Sequence, residues 1–219
     1  MRKYLEILKN CTLFNGISDD DLFKMLHCLG AKIITFDKKY TVLAEGSPAK
    51  YIGIVLSGSV HIIQVDYEGN RSIIEEIHPS EIFAEEFACA ESDCIPITAI
   101  ANEPSDVMFI DCSHIIHTCS NSCGFHQRLI FNLMKNLASK AIMFHQKLEI
   151  TSKRTTREKL MTYLNIQSKR CGSHSFDIPF DRQELADYLE VERSGLSTEI
   201  GKLKSEGIID NTKRHFTLL

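Results

Sequence analysis

The chain has 219 residues, 43% of them hydrophobic and 25% charged, and a formal net charge of −4. This length allows two small domains with real cores, while no apolar run reaches the length of a membrane span. The amino terminus MRKYLEILKN lacks the pattern of a secretory signal, so a cytoplasmic protein with no membrane partner is expected.

The eight cysteines are then expected to be thiols, ligands or core packing, not a disulfide framework. The charge divides unevenly. Residues 1–150 carry 13 basic and 19 acidic side chains, and residues 151–219 carry 12 and 10. An acidic first part with a slightly basic end suits a protein whose carboxyl-terminal third meets a polyanion.

From about Ile33 to Ile110 the pattern is of short strands between turns. Tyr51–Leu56, Ser59–Val65 and Ser72–Ile77 are apolar or alternating runs, and the polar turn 66–70 separates the last two. Evenly spaced short strands predict a small barrel or jelly roll. Near residue 112 the character changes. Residues 125–150 contain neither Gly nor Pro, and Leu129, Leu133, Leu137, Ala141, Phe144 and Leu148 recur every three or four positions. That spacing predicts one long helix with an apolar seam, which needs a partner surface; a second copy of the chain is expected to supply it.

Thr151–Thr156 is polar and basic and reads as a hinge. Helix resumes over Arg157–Ser168 and ends at Cys171-Gly172-Ser173, and Ser175–Phe180 follows as a short strand. Residues 181–203, DRQELADYLEVERSGLSTEIGKL, then read as two short helices around a tight turn. Asp181 and Glu184 have capping-box spacing. Leu185, Ala186 and Leu189 form the first apolar face, and Leu196, Ile200 and Leu203 form the second. The other face of the second helix carries Arg193, Ser194, Ser197, Thr198 and Lys202, donors able to reach base edges and phosphates. A helix-turn-helix presents its second helix to the major groove in this way. The segments 204–209 and 214–218 are expected to form the two strands of a wing.

The fold class expected is therefore α+β. It comprises a double-stranded β-helix (jelly-roll or β-roll) with flanking helices over 1–118, a dimerisation helix over 119–150 and a winged helix-turn-helix over 151–219. This order resembles the CRP/FNR superfamily of bacterial transcription regulators. In the roll the resemblance rests on Glu45-Gly46-Ser47-Pro48-Ala49-Lys50-Tyr51-Ile52 and on Leu56-Ser57-Gly58-Ser59-Val60. In the carboxyl-terminal part it rests on Arg182-Gln183-Glu184-Leu185-Ala186 and on Arg193. The resemblance implies a homodimer on a pseudo-palindromic double-stranded DNA operator, controlled by a small effector in the roll and working with RNA polymerase. It implies that Arg193 reads bases and that Arg182 and Gln183 lie near the phosphate backbone. Ser194, Ser197 and Thr198 are added at base edges and Lys202 near the backbone. The family's usual turn glycine is Glu190 here, and the glutamate that often follows the arginine is Ser194.

In cyclic-nucleotide binders of this family a Gly-Glu pair precedes an Arg-Ser/Thr pair whose arginine meets the cyclic phosphate. Here the corresponding pocket residues are Ala84, Glu85, Glu86, Ile95, Pro96 and Thr98. No lysine or arginine occurs from Ser72 to Gln127, where ten acidic residues do. A phosphate there would lack its bidentate partner, so the effector expected is not cyclic AMP and is otherwise unknown. Glu85 and Glu86 are read as a solvated carboxylate pair at the rim of the roll, with a cationic ligand as the alternative.

The same stretch holds Cys112, His114, His117, Cys119, Cys123 and His126 close together. These are read as small core residues beneath the roll, with no bound metal expected. The alternative is a metal or iron–sulfur sensor, since soft ligands suit such centres. An enzyme of the cupin kind is disfavoured, because His61 and His78 are isolated and no nucleophile elbow or P-loop is present. A binding module that no longer contacts DNA is the remaining rival. Glu190, Glu192 and Glu199 near the second helix favour it, because acids repel phosphates.

Overall fold

A computed structural model describes residues 2–65, 71–116 and 124–219. The turn 66–70 and the candidate ligands His117, Cys119 and Cys123 lie outside the described residues. The chain forms two compact units, Met1–Ala138 and Ser139–Leu219.

In the first unit, helices α1 (Leu5–Asn10) and α2 (Asp19–Cys28) precede strands β1 (Lys32–Phe36), β2 (Thr41–Leu43), β3 (Tyr51–Ser57), β4 (Val60–Val65), β5 (Arg71–Ile77) and β6 (Ile82–Phe83). Helix α3 (Glu85–Cys89), β7 (Thr98–Ala101), β8 (Ser105–Asp111), α4 (Cys112–Ile116) and α5 (Gly124–Thr151) follow. The strands make two four-stranded sheets, ordered β1-β8-β3-β6 and β2-β7-β4-β5, with antiparallel pairing throughout. This is the β-roll expected.

The apolar run Tyr51-Ile52-Gly53-Ile54-Val55-Leu56 is explained by burial on both faces. Ile52, Ile54 and Leu56 of β3, with Met108 and Ile110 of β8, face a helical core of Leu8, Leu13, Phe14, Leu22, Met25 and Leu26. Val55, Val107 and Phe109 point the other way, into the roll, against Val60, Ile62, Phe83, Ile95 and Ala99. Side chains alternate between faces along a strand, so one strand pair serves two cores.

The amino terminus is tied to the roll through one carboxylate. Asp106 accepts from the Tyr4 hydroxyl, from Thr35 Oγ1 at 2.5 Å and from Ser57 Oγ at 3.3 Å, with Lys3 Nζ at 3.6 Å. The Thr35 and Tyr4 hydrogen bonds hold its carboxyl below the usual range. The stabilisation is therefore present above the unfolded carboxyl's pKa and lost as pH falls through the folded one.

In the second unit, α6 (Thr156–Cys171), β9 (Ser175–Asp177), α7 (Arg182–Leu189), α8 (Arg193–Ser205), β10 (Ile209–Thr212) and β11 (His215–Leu218) follow the end of α5. The strands form one sheet in the order β10-β11-β9. Leu160, Tyr163, Leu164, Leu185, Leu189, Leu196, Ile200, Leu203 and Phe216 pack as a single core, joined by Ile150 of α5. Two boundaries differ from expectation. Lys204 and Ser205 close α8 instead of opening a wing strand, because the helical hydrogen bonding continues to Glu206 N, which donates to Lys202 O. The strand before α7 stops at Asp177, where pairing with β11 ends.

The long helix is present as 28 residues, yet its apolar stripe is not one open seam. Leu129 and Leu133 are buried in the first unit's own core. Phe131, Met134, Ile142, Met143, Phe144 and Leu148 are each more than half exposed.

Gly58 links β3 to β4 at a φ of +75°, and a Cβ there would lie 2.5 Å from the Pro104 carbonyl oxygen. A left-handed backbone costs an L-residue about 1–2 kcal/mol, and the contact is with backbone that cannot step aside. Gly58→Ala is expected to destabilise the first unit by at least about 2 kcal/mol, read as a lowered urea midpoint.

Candidate nucleic-acid interface and effector site

Helices α7 and α8 are held by local chemistry. The Asp181 carboxylate accepts from the backbone N–H of Gln183 at 2.8 Å and of Glu184 at 2.9 Å, while Glu184 Oε2 accepts from Asp181 N at 2.5 Å. These bonds satisfy the orphan donors of the first turn of α7. They also hold the Asp181 carboxyl below its ordinary range.

The turn that follows is closed by Glu190 at φ 54°, a left-handed conformation that glycine adopts at less cost. Its neighbours brace it. Lys147 Nζ lies 3.4 Å from the Glu190 carboxylate, and Lys159 Nζ donates to its carbonyl at 3.2 Å. Lys147 also stands 4.5 Å over the Tyr188 ring, which packs against Phe180 in a tilted pair with centroids 4.8 Å apart.

Leu196, Ile200 and Leu203 anchor α8 on the core, leaving Arg193, Ser194, Ser197, Thr198 and Lys202 exposed. The helix therefore offers this row to solvent, although the Thr198 hydroxyl donates to the Ser194 carbonyl at 3.0 Å. Gln183 is exposed too and donates to Asp187 at 2.8 Å. The acids near α8 are partly countered. Glu199 lies 3.6 Å from Arg157 and 3.9 Å from Lys202. Arg157 makes a bidentate pair with Glu206 at 3.0 and 2.5 Å, so this arginine is engaged within the protein.

Arg182 is different from the rest. It is half-buried, and its Nη1 is buried without a hydrogen-bond partner. Burial, then the charge of Arg193, pushes its pKa below the ordinary arginine value. Arg182 lines a cleft of about 550 Å³ with Asp177, Asp181, Lys213, Arg214 and His215. Lys213 and Arg214 sit in the wing turn and were not singled out from sequence. A basic pair between two short strands was the available signal.

The candidate effector residues divide between environments. Ala84 and Ile95 are both buried in the roll's apolar cluster, Ile95 at 1% exposure. Ile95 is also fastened to the Gly46 loop, donating to Ser47 O and accepting from Gly46 N, each at 2.9 Å. Ala84 adopts φ 62° at the start of α3. Thr98 Oγ1 accepts from Glu45 N at 3.3 Å, and Pro96 is exposed. The reading of Glu85 and Glu86 as two solvated carboxylates is corrected. Glu86 is exposed, but Glu85 is fully buried, because Glu85 opens α3 on the side that packs against β3. Its charge adds to burial in pushing the Cys11 thiol up to about 12.

Of the cysteine and histidine cluster, Cys112 is buried with its sulfur 3.4 Å from that of Cys89. His114 Nδ1 lies 3.0 Å from the Leu29 carbonyl, and buried His126 places Nε2 3.0 Å from the His114 carbonyl. Among the described residues no group of three or more His, Cys, Asp or Glu is placed to hold a metal ion. No described helix is long and apolar enough to cross a membrane.

Residues 33–122 match the cyclic nucleotide-binding domain family, and residues 158–219 match the Crp-like helix-turn-helix domain family. Together they span more than half of the sequence, and the chain belongs to the CRP/FNR superfamily of DNA-binding transcription regulators. It is 23% identical over 192 residues to the transcriptional activator protein FnrL of Cereibacter sphaeroides, covering 80% of this chain and 71% of that protein. The catabolite activator protein of Thermus thermophilus superposes with a TM-score of 0.55 at 18% identity, over 95% of this chain and 93% of that one. DNR from Pseudomonas aeruginosa gives 0.51 at 22% identity, over 100% and 95%. At these identities the structural likeness is one of fold.

Relief of the left-handed turn yields a direct test. Glu190→Gly is expected to stabilise the second unit by about 1 kcal/mol, measured as a raised denaturant midpoint despite loss of the Lys147 pair.

Proposed function

We propose that the chain is a cytoplasmic, homodimeric regulator that binds a pseudo-palindromic operator and responds to a small effector other than cyclic AMP. The observation that carries the DNA reading is the exposed row Arg193, Ser194, Ser197, Thr198 and Lys202 on a helix whose opposite side is locked into the core. Arg193, Ser194, Ser197 and Thr198 are assigned to base edges. Arg182, Gln183 and Lys202 are assigned to the backbone, where a phosphate would give the orphaned Arg182 Nη1 its acceptor. Lys213 and Arg214 extend that contact along the wing cleft. Dimerisation is assigned to α5, whose exposed Phe131, Met134, Ile142, Met143 and Leu148 exceed what a helix leaves in water without a partner. RNA polymerase is the expected protein partner of such a regulator on its promoter.

The effector reading rests on Ile95. The position that would present an arginine to a cyclic phosphate is an aliphatic side chain packed against the roll's own core. A phosphate placed there would forgo a charge-assisted contact of roughly 1.5–3 kcal/mol.

Two measurements test these assignments. Arg193→Ala is expected to lower preference for the operator over unrelated DNA by about 1–3 kcal/mol, seen in competition mobility shifts. Wild-type binding should weaken steeply with salt; an unchanged preference in the variant would move base reading elsewhere. Titration calorimetry with cyclic AMP is expected to give no heat of binding at micromolar concentrations, and a micromolar isotherm would overturn the effector reading.

A further inference from the structure

Two thiols outside the DNA-facing surface meet where α3 packs on α4. Cys89 is the last residue of α3 and Cys112 the first of α4, and their sulfurs are 3.4 Å apart. A disulfide needs about 2.05 Å, so closure requires about 1.4 Å of sulfur travel, within reach of small side-chain rotations. Cys112 is buried and Cys89 half-buried. Cys112 also lines a cleft of about 300 Å³ with Lys50, Ala88, Asp93, Ser113 and Ile116, beside the half-buried Cys89 thiol. The other described cysteines are Cys11, which is buried, and Cys28, Cys94 and Cys171, which are exposed.

We propose that Cys89 and Cys112 form a reversible dithiol–disulfide switch oxidised by hydroperoxides. Cys89, the more accessible thiol, is the attacking group. The hydrogen bond from Cys112 lowers its pKa, whereas the same contact and burial raise that of Cys112. The Cys89 thiolate attacks the terminal peroxide oxygen, the O–O bond breaks, and Cys89 becomes a sulfenic acid as the alcohol or water departs with a proton. The Cys112 sulfur then attacks Cys89, the S–O bond breaks, and the hydroxide leaves as water with the Cys112 proton. Two thiols and one hydroperoxide thus yield one disulfide, one alcohol or water, and one further water. Two equivalents of a small thiol such as glutathione return the pair to dithiol. The bond would join α3, which follows β6 and packs on β3, to α4, which continues directly from β8. An effect of this bond on operator binding rests on the regulator reading; the thiol chemistry does not.

The test uses the full reduced chain, treated with one equivalent of hydrogen peroxide, alkylated in denaturant and mapped by mass spectrometry without reduction. A Cys89–Cys112 cross-linked peptide is expected, with two of the eight thiols lost and recovered in glutathione. Cys89→Ser should abolish the cross-link and slow peroxide consumption at least about tenfold. Cys112→Ser should leave a sulfenic acid on Cys89 that dimedone traps, a readout a merely structural role would not produce. Cross-links from Cys112 to Cys94, Cys119 or Cys123, or peroxide consumption unchanged in Cys89→Ser, would overturn the proposal. Stoichiometric metal on the pair in anaerobically isolated protein would do the same. Mobility shifts on the same samples separate the two readings. Reduced protein that ignores all DNA counts against the regulator, while the peptide map alone decides the thiol pair.

Discussion

The first unit depends on a strand pair that has no solvent face. Because β3 and β8 pack Ile52, Ile54, Met108 and Ile110 against helices and Val55, Val107 and Phe109 into the roll, the two cores share a wall. A side chain of the wrong size on either face disturbs packing on the other, since protein interiors are close-packed. Gly53 shows how little room there is. A Cβ there would meet the Phe83 ring at 2.2 Å, so the ring occupies the space that any other residue would fill. The candidate effector residues are built on that wall. Helix α3, the Gly46 loop with Ile95, and α4 all attach to it or to its ends.

The second unit achieves its geometry by local means. Capping boxes start both α6 and α7, and a left-handed residue closes the turn before α8. Each satisfies backbone groups that a small core could not otherwise shelter. The result is a helix, α8, held by three aliphatic anchors and exposed along its polar side. Internal ion pairs such as Arg157–Glu206 and Lys147–Glu190 draw charge toward the scaffold. Arg182, Arg193, Lys213 and Arg214 stand around the cleft and the helix start, Arg214 with its guanidinium 3.6 Å from Glu184. Arg182 stands out because one guanidinium nitrogen is buried without a hydrogen-bond partner in the protein, at a desolvation cost.

Helix α5 carries two kinds of apolar residue. Its leucines at 129 and 133 complete the first unit's core, and Ile150 completes the second's. Phe131, Met134, Ile142, Met143 and Leu148 stay exposed. Apolar side chains left in water on a long helix call for a partner surface, which is the ground for the proposed dimerisation.

Much of this architecture was legible in the linear sequence, because it depends on short-range spacing. Capping boxes span three residues, strand alternation repeats every second one, and helical stripes recur every third or fourth. The strand-rich first part, the long helix, the paired short helices and the exposed row from Arg193 to Lys202 follow from those periods, and turn residues with the family resemblance made of them a roll and a helix-turn-helix. Tertiary packing decided the rest. Glu85 and Glu86 are adjacent and chemically alike, yet one is wholly buried and the other exposed, because a helix turns successive residues by about 100°. The regular leucine stripe of α5 was split by the core it docks on. Cys89 and Cys112 are 23 positions apart, and only the packing of α3 on α4 brings their sulfurs together. The cleft that Arg182 shares with Lys213 and Arg214 likewise forms only when the wing folds back on α7. Local periodicity carries no information about contacts of that range, since they arise only when the chain closes on itself.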